Sequence, residues 1–143
     1  LGIRLGYSMQ QIRESFWRFF GPFFIAVRDL LMKVGLMHHH GRQEYHLGWL
    51  KAGMSVQDLD HLLASLGFKN HAAAWIDDDE ILALRKLDGF RFQYHLRVYK
   101  DGEVKGHYEV TPEAGFWNHF LEWEMEPRRD EFLQMAGKFI EAR

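Results

Sequence analysis

The sequence predicts an α+β fold in which a mostly antiparallel sheet of about five or six strands packs against helices. Several short runs alternate apolar and polar residues and are separated by turn residues, as in neighbouring antiparallel strands. Two stretches, residues 55–66 and 127–140, repeat apolar residues at helical spacing. A further helical stretch, near the N-terminus, is unusually rich in phenylalanine.

Composition limits the classes of function. The chain has 143 residues, 47% of them hydrophobic and 15% aromatic, which is enough for the core of a single domain. Its formal net charge of −2 argues against general nucleic-acid binding, which needs a concentrated basic surface. Because cysteine is absent, disulfides and thiolate chemistry are excluded. A cytoplasmic location fits this composition, and export is the alternative that the absence of cysteine leaves open.

Charge and pattern divide the chain near residue 43. Residues 1–43 hold six Lys or Arg and two Asp or Glu, whereas residues 44–143 hold twelve and eighteen. We therefore predict an N-terminal helical arm with a His-rich loop over residues 1–43, and a single α+β domain over residues 44–143. A basic arm can dock electrostatically on an acidic domain of its own or of a neighbouring subunit.

Within the arm, residues 8–34 are predicted to be helical, with a kink at Gly21-Pro22. The apolar stripe of this helix comprises Ile12, Phe16, Phe19, Phe20, Phe23, Val27, Leu30, Leu31 and Val34. The uncharged run at residues 19–27 is far shorter than the ~20 residues of a membrane-spanning helix, so no transmembrane segment is expected. We expect the stripe to pack in the core or to join subunits in a homodimer or higher homo-oligomer. Adsorption to a membrane surface is the alternative.

The loop after the arm contains His38-His39-His40. A native metal-binding tract and a partial tag are both consistent with this run. Three consecutive side chains cannot all point the same way on a helix or a strand, so the tract is a poor cage for one ion.

The domain opens with a predicted strand at residues 44–50 and a helix that begins after Ser55 and ends at Gly67. Asp58 completes a capping-box pattern with Ser55. The residues that this helix is expected to bury are Val56, Leu59, Leu62, Leu63 and Leu66.

Further strands are predicted at residues 71–76, 81–87 and 117–125, with a short helix as the alternative for the last. The acidic residues from Asp77 to Glu80 join the first two of these strands. They lack the spacing and the glycine of a calcium loop, which favours a solvated turn. Pro127 fits the first turn of a final helix, whose apolar residues are Phe132, Leu133, Ala136, Phe139 and Ile140.

The central element is a β-hairpin from Phe92 to Val110, because Asp101-Gly102 lies between two runs rich in Val, Tyr and Phe. A two-residue loop would mix apolar and charged groups on both faces. A three-residue loop, with Gly102 in the left-handed bulge position, sets Val98 opposite Val104 and makes one face apolar throughout. Burial therefore selects the three-residue loop.

In that register the second face of the hairpin is polar, with His95 directly across from His107. The candidate ligand-binding residues on this face are His95, His107, Arg97, Glu109, Gln93 and Lys105. The two imidazoles can share a proton, ligate a metal or act as general acid and base, and the two cations favour an anionic ligand. A solvated or merely hydrogen-bonded face is the alternative, since solvent-facing strands normally carry alternating polar residues.

Three classes of function remain open. The first is binding of a small, possibly anionic ligand at this His/Arg/Glu-lined face, with the cofactor and the metal undetermined. His46 or His71 would complete a metal site only if its strand lay alongside, and His119 is interpreted as a hydrogen-bonded core residue. The second class is an oligomerisation or protein-interaction module that uses the aromatic arm. The third is a small hydrolase or isomerase with histidine acid–base chemistry.

Overall fold

A computed structural model describes residues 9–37, 45–70 and 79–142. These residues belong to two compact units, of which one contains the first helix and the other contains all remaining elements. In chain order the elements are α1 (Met9–Lys33), β1 (His46–Leu50), α2 (Val56–Ser65), β2 (Lys69–Asn70), β3 (Glu80–Asp88), β4 (Phe92–Tyr99), β5 (Glu103–Val110), α3 (Phe116–Phe120), α4 (Arg129–Ala136) and β6 (Ile140–Glu141).

The six strands form one sheet in the order β2-β3-β4-β5-β1-β6, and every neighbouring pair is antiparallel. The predicted α+β class, the antiparallel sheet and the aromatic N-terminal helix are confirmed. The hairpin strands β4 and β5 occupy the two central positions of the sheet. Their side chains therefore have strand neighbours on both sides, β3 beside β4 and β1 beside β5.

One face of the sheet packs against α2 and α4 to form the hydrophobic core. The fully or largely buried members are Leu47, Leu59, Leu63, Phe68, Leu84, Leu96, Val98, Val104, Phe132, Ala136, Phe139 and Ile140. The predicted capping box opens α2, because Ser55 Oγ accepts the Asp58 backbone N–H (3.1 Å) and Asp58 Oδ2 accepts the Ser55 backbone N–H (3.3 Å). The residues whose spacing predicted the two helices thus supply the core, although Phe139 and Ile140 do so from outside α4.

The hairpin has the predicted three-residue register. Gly102 takes a left-handed conformation (φ +85°), and its N–H donates to the Tyr99 carbonyl (2.9 Å). Val98 pairs with Val104, and His95 pairs with His107. The apolar and the polar residues of the hairpin are therefore separated onto opposite faces, as burial required.

Helix α1 runs through Pro22 as one continuous helix, so the proline does not split it. Trp17 is buried, whereas Phe19 and Phe23 are 78% and 64% exposed. Among the described residues, no helix combines the length and the apolar character needed to cross a membrane.

The prediction of a last strand at residues 117–125 is wrong. The alternative prediction, a short helix, holds for the first part of this segment, because α3 covers Phe116–Phe120. Trp117 and Trp123 are 65% and 57% exposed, so the alternation of large side chains in this segment does not mark a buried strand face.

Near the C-terminus, α4 ends at Ala136. Phe139 and Ile140 were expected on this helix, but Phe139 lies in the turn after it and Ile140 lies in β6. Three further predictions lie outside the described residues. They are the strand at 71–76, the His38-His39-His40 tract and the boundary near residue 43.

Candidate functional site

The sheet face opposite the core carries polar side chains in three rows across β3, β4 and β5. The rows are Leu87–Gln93–Glu109, Arg85–His95–His107 and Ala83–Arg97–Lys105. The predicted cross-strand pairing of the six candidate residues is therefore confirmed. All of them are buried except Lys105, which is half-buried. The alternative of a solvated face is wrong, whereas the alternative of a merely hydrogen-bonded face stays open. We call this face the polar layer from here on.

Glu109 is surrounded by four polar side chains. Gln93 Nε2 donates to Glu109 Oε1 (2.9 Å), and His95 Nε2 and His107 Nε2 lie 3.7 and 3.5 Å from the same oxygen. His119 Nδ1 lies 3.2 Å from the second carboxylate oxygen, Oε2. The Glu109 carboxylate thus contacts one amide donor and three imidazoles.

These neighbours decide the ionisation of Glu109. Complete burial by itself raises the pKa of a carboxyl group. The positive charge available on His119 and His107, and their hydrogen bonds to the carboxylate, outweigh that effect and hold the pKa of Glu109 well below its ordinary value. Glu109 is therefore a carboxylate at neutral pH.

The two central imidazoles stack face to face. The His95 and His107 rings have centroids 5.2 Å apart and planes inclined by 20°, and the Tyr45 ring lies 5.8 Å from that of His107. One donor atom from each of His95, His107 and Glu109 falls within 4.8 Å of the other two. Among residues 9–37, 45–70 and 79–142, this is the one group of three or more such residues spaced closely enough for a metal ion.

The predicted cations of the polar layer both have carboxylate partners. Arg97 Nη1 forms an ion pair with Glu80 Oε2 in which both side chains are buried. Lys105 Nζ lies 3.3 Å from Glu103 Oε2 and 4.7 Å from the centre of the Tyr99 ring. The charge that was expected to attract an anion is thus largely offset by neighbouring glutamates.

Two residues of the layer were missed at the sequence level, Glu80 and Arg85. Glu80 was assigned to a solvated turn, but it begins β3 and is buried. Arg85 pairs with His95, and its Nη1 donates to Gln93 Oε1 (3.3 Å). The Asp88-Gly89 turn was the available signal for Arg85, because the strand pairing that it sets brings Arg85 beside His95.

The remaining histidines divide between the layer and its surroundings. His119, on α3, is half-buried, and its Nδ1 donates to the Val110 carbonyl (3.0 Å), which agrees with a hydrogen-bonded role. His46 Nδ1 lies 2.8 Å from Glu103 Oε1 and is not part of the close group. His71 lies outside the described residues.

No known protein family, curated protein sequence or solved structure matches the chain. The function is therefore inferred from the chemistry of the polar layer.

Proposed function

We propose that this protein binds a small ligand in the polar layer, and that the ligand is a divalent transition-metal ion held by His95, His107 and Glu109. One observation carries the proposal: a donor atom from each of these residues lies within 4.8 Å of the other two. The sequence alone favoured an anion because of Arg97 and Lys105. Their pairing with Glu80 and Glu103 makes a cation the better first ligand.

The distances suit a metal centre. Two donors that bind one tetrahedral ion at about 2.0–2.2 Å lie roughly 3.3–3.6 Å from each other. The two His–Glu109 separations, 3.7 and 3.5 Å, are already close to that range. The stacked His95 and His107 rings would have to turn so that one nitrogen of each points at the same ion.

The donor types narrow the choice of ion. Two imidazoles and one carboxylate are typical ligands of Zn²⁺, Fe²⁺ and similar ions, whereas Ca²⁺ and Mg²⁺ prefer sets made only of oxygen. Gln93, on the metal-facing oxygen of Glu109, would orient this ligand, as outer-shell partners do in metal sites.

The test is a zinc titration of EDTA-stripped protein by calorimetry. We expect one ion per chain. His95→Ala and His107→Ala should weaken binding by more than about 100-fold, and Gln93→Leu by roughly 10–100-fold, the usual cost of an outer-shell partner. His61→Ala, on the exposed surface of α2, is the matched control and should leave the affinity unchanged.

Replacement of His38, His39 and His40 by alanine removes a competing tract and should also leave the stoichiometry at one. Zinc affinity that is equal in the wild type, His95→Ala and His107→Ala would refute the proposal.

A second candidate function, self-association, is favoured by the exposed face of α1. The exposed apolar residues are Ile12, Phe16, Phe19, Phe20, Phe23 and Leu30 on α1, and Val34 in the turn directly after it. At 100° per residue they fall on one side of the helix. Their exposed area is roughly 700–800 Å², counting about 200 Å² per large side chain, which approaches the ~800 Å² that each partner buries in a standard interface. The occupant we infer is α1 of a second copy.

Sedimentation velocity tests this role. The wild-type chain should sediment as a dimer or larger species, and both Phe19→Glu with Phe23→Glu and deletion of residues 1–35 should yield monomers. Phe90→Glu is the control, because Phe90 is 59% exposed but lies in the β3–β4 turn. A monomeric wild type at micromolar concentration would contradict self-association.

A further inference from the structure

His119 lies on α3 and approaches Glu109 from outside the sheet. Strand β5 ends at Val110, and the chain turns back before α3 begins at Phe116. A Cβ atom on Gly115 would lie 3.2 Å from Val110 Cγ2, which is closer than side chains normally pack. The absence of a side chain at Gly115 therefore allows the start of α3 to lie against the end of β5, with His119 beside Glu109.

The two oxygens of the Glu109 carboxylate face different groups. Oε1 lies toward Gln93, His95 and His107, the side on which we propose the metal ion. Oε2 lies 3.2 Å from His119 Nδ1. The close group of possible metal ligands does not include His119, so His119 is a neighbour of one proposed ligand rather than a ligand itself.

The contacts of His119 Nδ1 identify it as a hydrogen-bond donor. This atom lies 3.0 Å from the Val110 carbonyl oxygen and 3.2 Å from Glu109 Oε2. A carbonyl and a carboxylate oxygen can only accept, so Nδ1 carries a proton that the two oxygens share. The imidazole is thereby oriented by the backbone of β5, and it holds the carboxylate oxygen that faces away from the proposed ion.

We propose that His119 is a positioning residue that makes Glu109 bind the metal ion through Oε1 alone. The inference rests on the proposed function, and it specifies how one ligand of that site binds. A carboxylate can bind an ion through one oxygen or through both. Binding through both would require Oε2 to leave the His119 N–H.

This arrangement decides the kind of metal site. With Glu109 binding through one oxygen, the protein supplies three donor atoms, and a tetrahedral ion keeps its fourth position open. Closed sites with four protein ligands are typical of structural zinc, whereas an open fourth position is typical of zinc that binds water or a substrate. His119 would therefore keep this site open to a further ligand.

The position of His119 makes it suitable for substitution. Its side chain is 28% exposed, whereas that of Glu109 is 4% exposed. A change at His119 alters the outer edge of the polar layer and removes no residue of the hydrophobic core, so variants at this position should fold. Thermal unfolding of each variant checks that they do.

The experiment replaces zinc by Co²⁺, because four-coordinate Co²⁺ absorbs visible light much more strongly than five- or six-coordinate Co²⁺. His119→Leu removes the N–H and frees Oε2 to bind, so the absorption per bound ion should fall. The affinity for cobalt should fall roughly 10–100-fold, the usual cost of losing an outer-shell partner. His119→Asn keeps an N–H donor near the position of Nδ1 and should restore both properties.

His46→Leu is the matched control. His46 also pairs with a glutamate, Glu103, at 2.8 Å, and its side chain is similarly exposed at 34%. Because His46 is not part of the close group, its replacement should leave the cobalt spectrum and affinity unchanged.

A second measurement needs no metal. Long-range ¹H–¹⁵N correlation spectra of the metal-free protein show which ring nitrogen of each histidine carries a proton. We expect a protonated Nδ1 for His119. A His119 ring that is protonated at Nε2 alone would overturn the proposed hydrogen bond to Glu109.

The outcomes separate this inference from the proposed function. Failure of the wild type to bind cobalt would overturn the metal site and, with it, the role of His119. Cobalt that binds the wild type and His119→Leu with the same spectrum would overturn the role of His119 alone and leave the metal site in place. A His119→Asn variant that behaves like His119→Leu would also contradict the role of the N–H.

Discussion

The β4–β5 hairpin is buried on both of its faces, but the chemistry of the two faces differs. On one face Leu96, Val98 and Val104 are fully buried in the hydrophobic core. On the other face His95 and His107 are almost as deeply buried, at 5% and 4% exposure. Burial of each apolar side chain contributes about 1.5–3 kcal/mol to stability, because it removes apolar surface from water.

The polar face gains no comparable stability from burial. Its ionised groups lose hydration, and their ion pairs and hydrogen bonds do little more than offset that loss. Replacing a buried ion pair by well-packed apolar residues often leaves the free energy of unfolding unchanged or raises it. Stability therefore explains the core face but not the chemistry of the polar layer.

The largest effect on stability should come from breaking a charge pair in the polar layer. Arg97→Met leaves the buried carboxylate of Glu80 without its ion-pair partner and should lower the free energy of unfolding by about 3–5 kcal/mol. Adding Glu80→Met should recover most of this loss. Urea denaturation measures both variants, and a double variant no more stable than the single one would contradict the pairing.

On the core face, Leu96→Ala should lower the free energy of unfolding by about 2–5 kcal/mol through lost burial and a residual cavity. Measuring the same variant with and without zinc tests whether the two faces act independently. The cost of Leu96→Ala should be the same with and without zinc, because this side chain lies on the opposite face from the site. A zinc-dependent cost, seen in paired denaturation curves, would mean that the two faces are coupled.

Metal binding should stabilise the protein only through the polar layer. Zinc at 100 times its dissociation constant should raise the free energy of unfolding by about 2.7 kcal/mol, by mass action. Leu96→Ala should retain this increase, whereas His107→Ala should lose it. EDTA should reverse it in thermal unfolding scans. Equal stabilisation of the wild type and His107→Ala would place the bound zinc elsewhere.

Removing the helix cap of α2, away from the candidate site, should lower the free energy of unfolding by a smaller amount. Ser55→Ala removes the side chain that accepts the Asp58 backbone N–H and should cost about 1 kcal/mol. Zinc should stabilise this variant as much as it stabilises the wild type. Denaturation with and without zinc tests both statements.

The smallest effect should be the pH dependence of the same cap. Hydrogen bonds from the Ser55 side chain and backbone hold the pKa of Asp58 below its ordinary value of 3.8. The folded-state pKa is thus lower than the unfolded one, so ionised Asp58 contributes stability above pH 3.8. This contribution is lost as the pH falls through the lowered pKa. The stability difference between the wild type and Asp58→Asn should therefore shrink only in that acid range.

The hairpin and its site residues could be predicted because two local signals agreed. Gly102 set the turn, and the separation of apolar from polar side chains set the register. Together they placed His95 against His107 without any long-range information. The capping box at Ser55 and Asp58 was predictable for the same reason, since both partners lie within four residues.

The parts that failed depend on tertiary contacts that local patterns do not encode. Glu80 is buried because Arg97, on another strand, pairs with it across a register shift in β3. The segment after α3 alternates like a strand, yet Trp123 is exposed, and Glu126 alone forms a bridge, to Tyr108. Burial of the polar layer was likewise not predictable from the hairpin itself, because alternating polar residues are equally typical of a solvated face.

The most direct test of the metal site is an anomalous difference map, collected at the zinc absorption edge, from crystals grown with one equivalent of zinc. The proposed metal site predicts a peak about 2.0–2.2 Å from a nitrogen of His95, a nitrogen of His107 and an oxygen of Glu109. A map with no peak at this position, or with its strongest peak at His46 and Glu103, would contradict it.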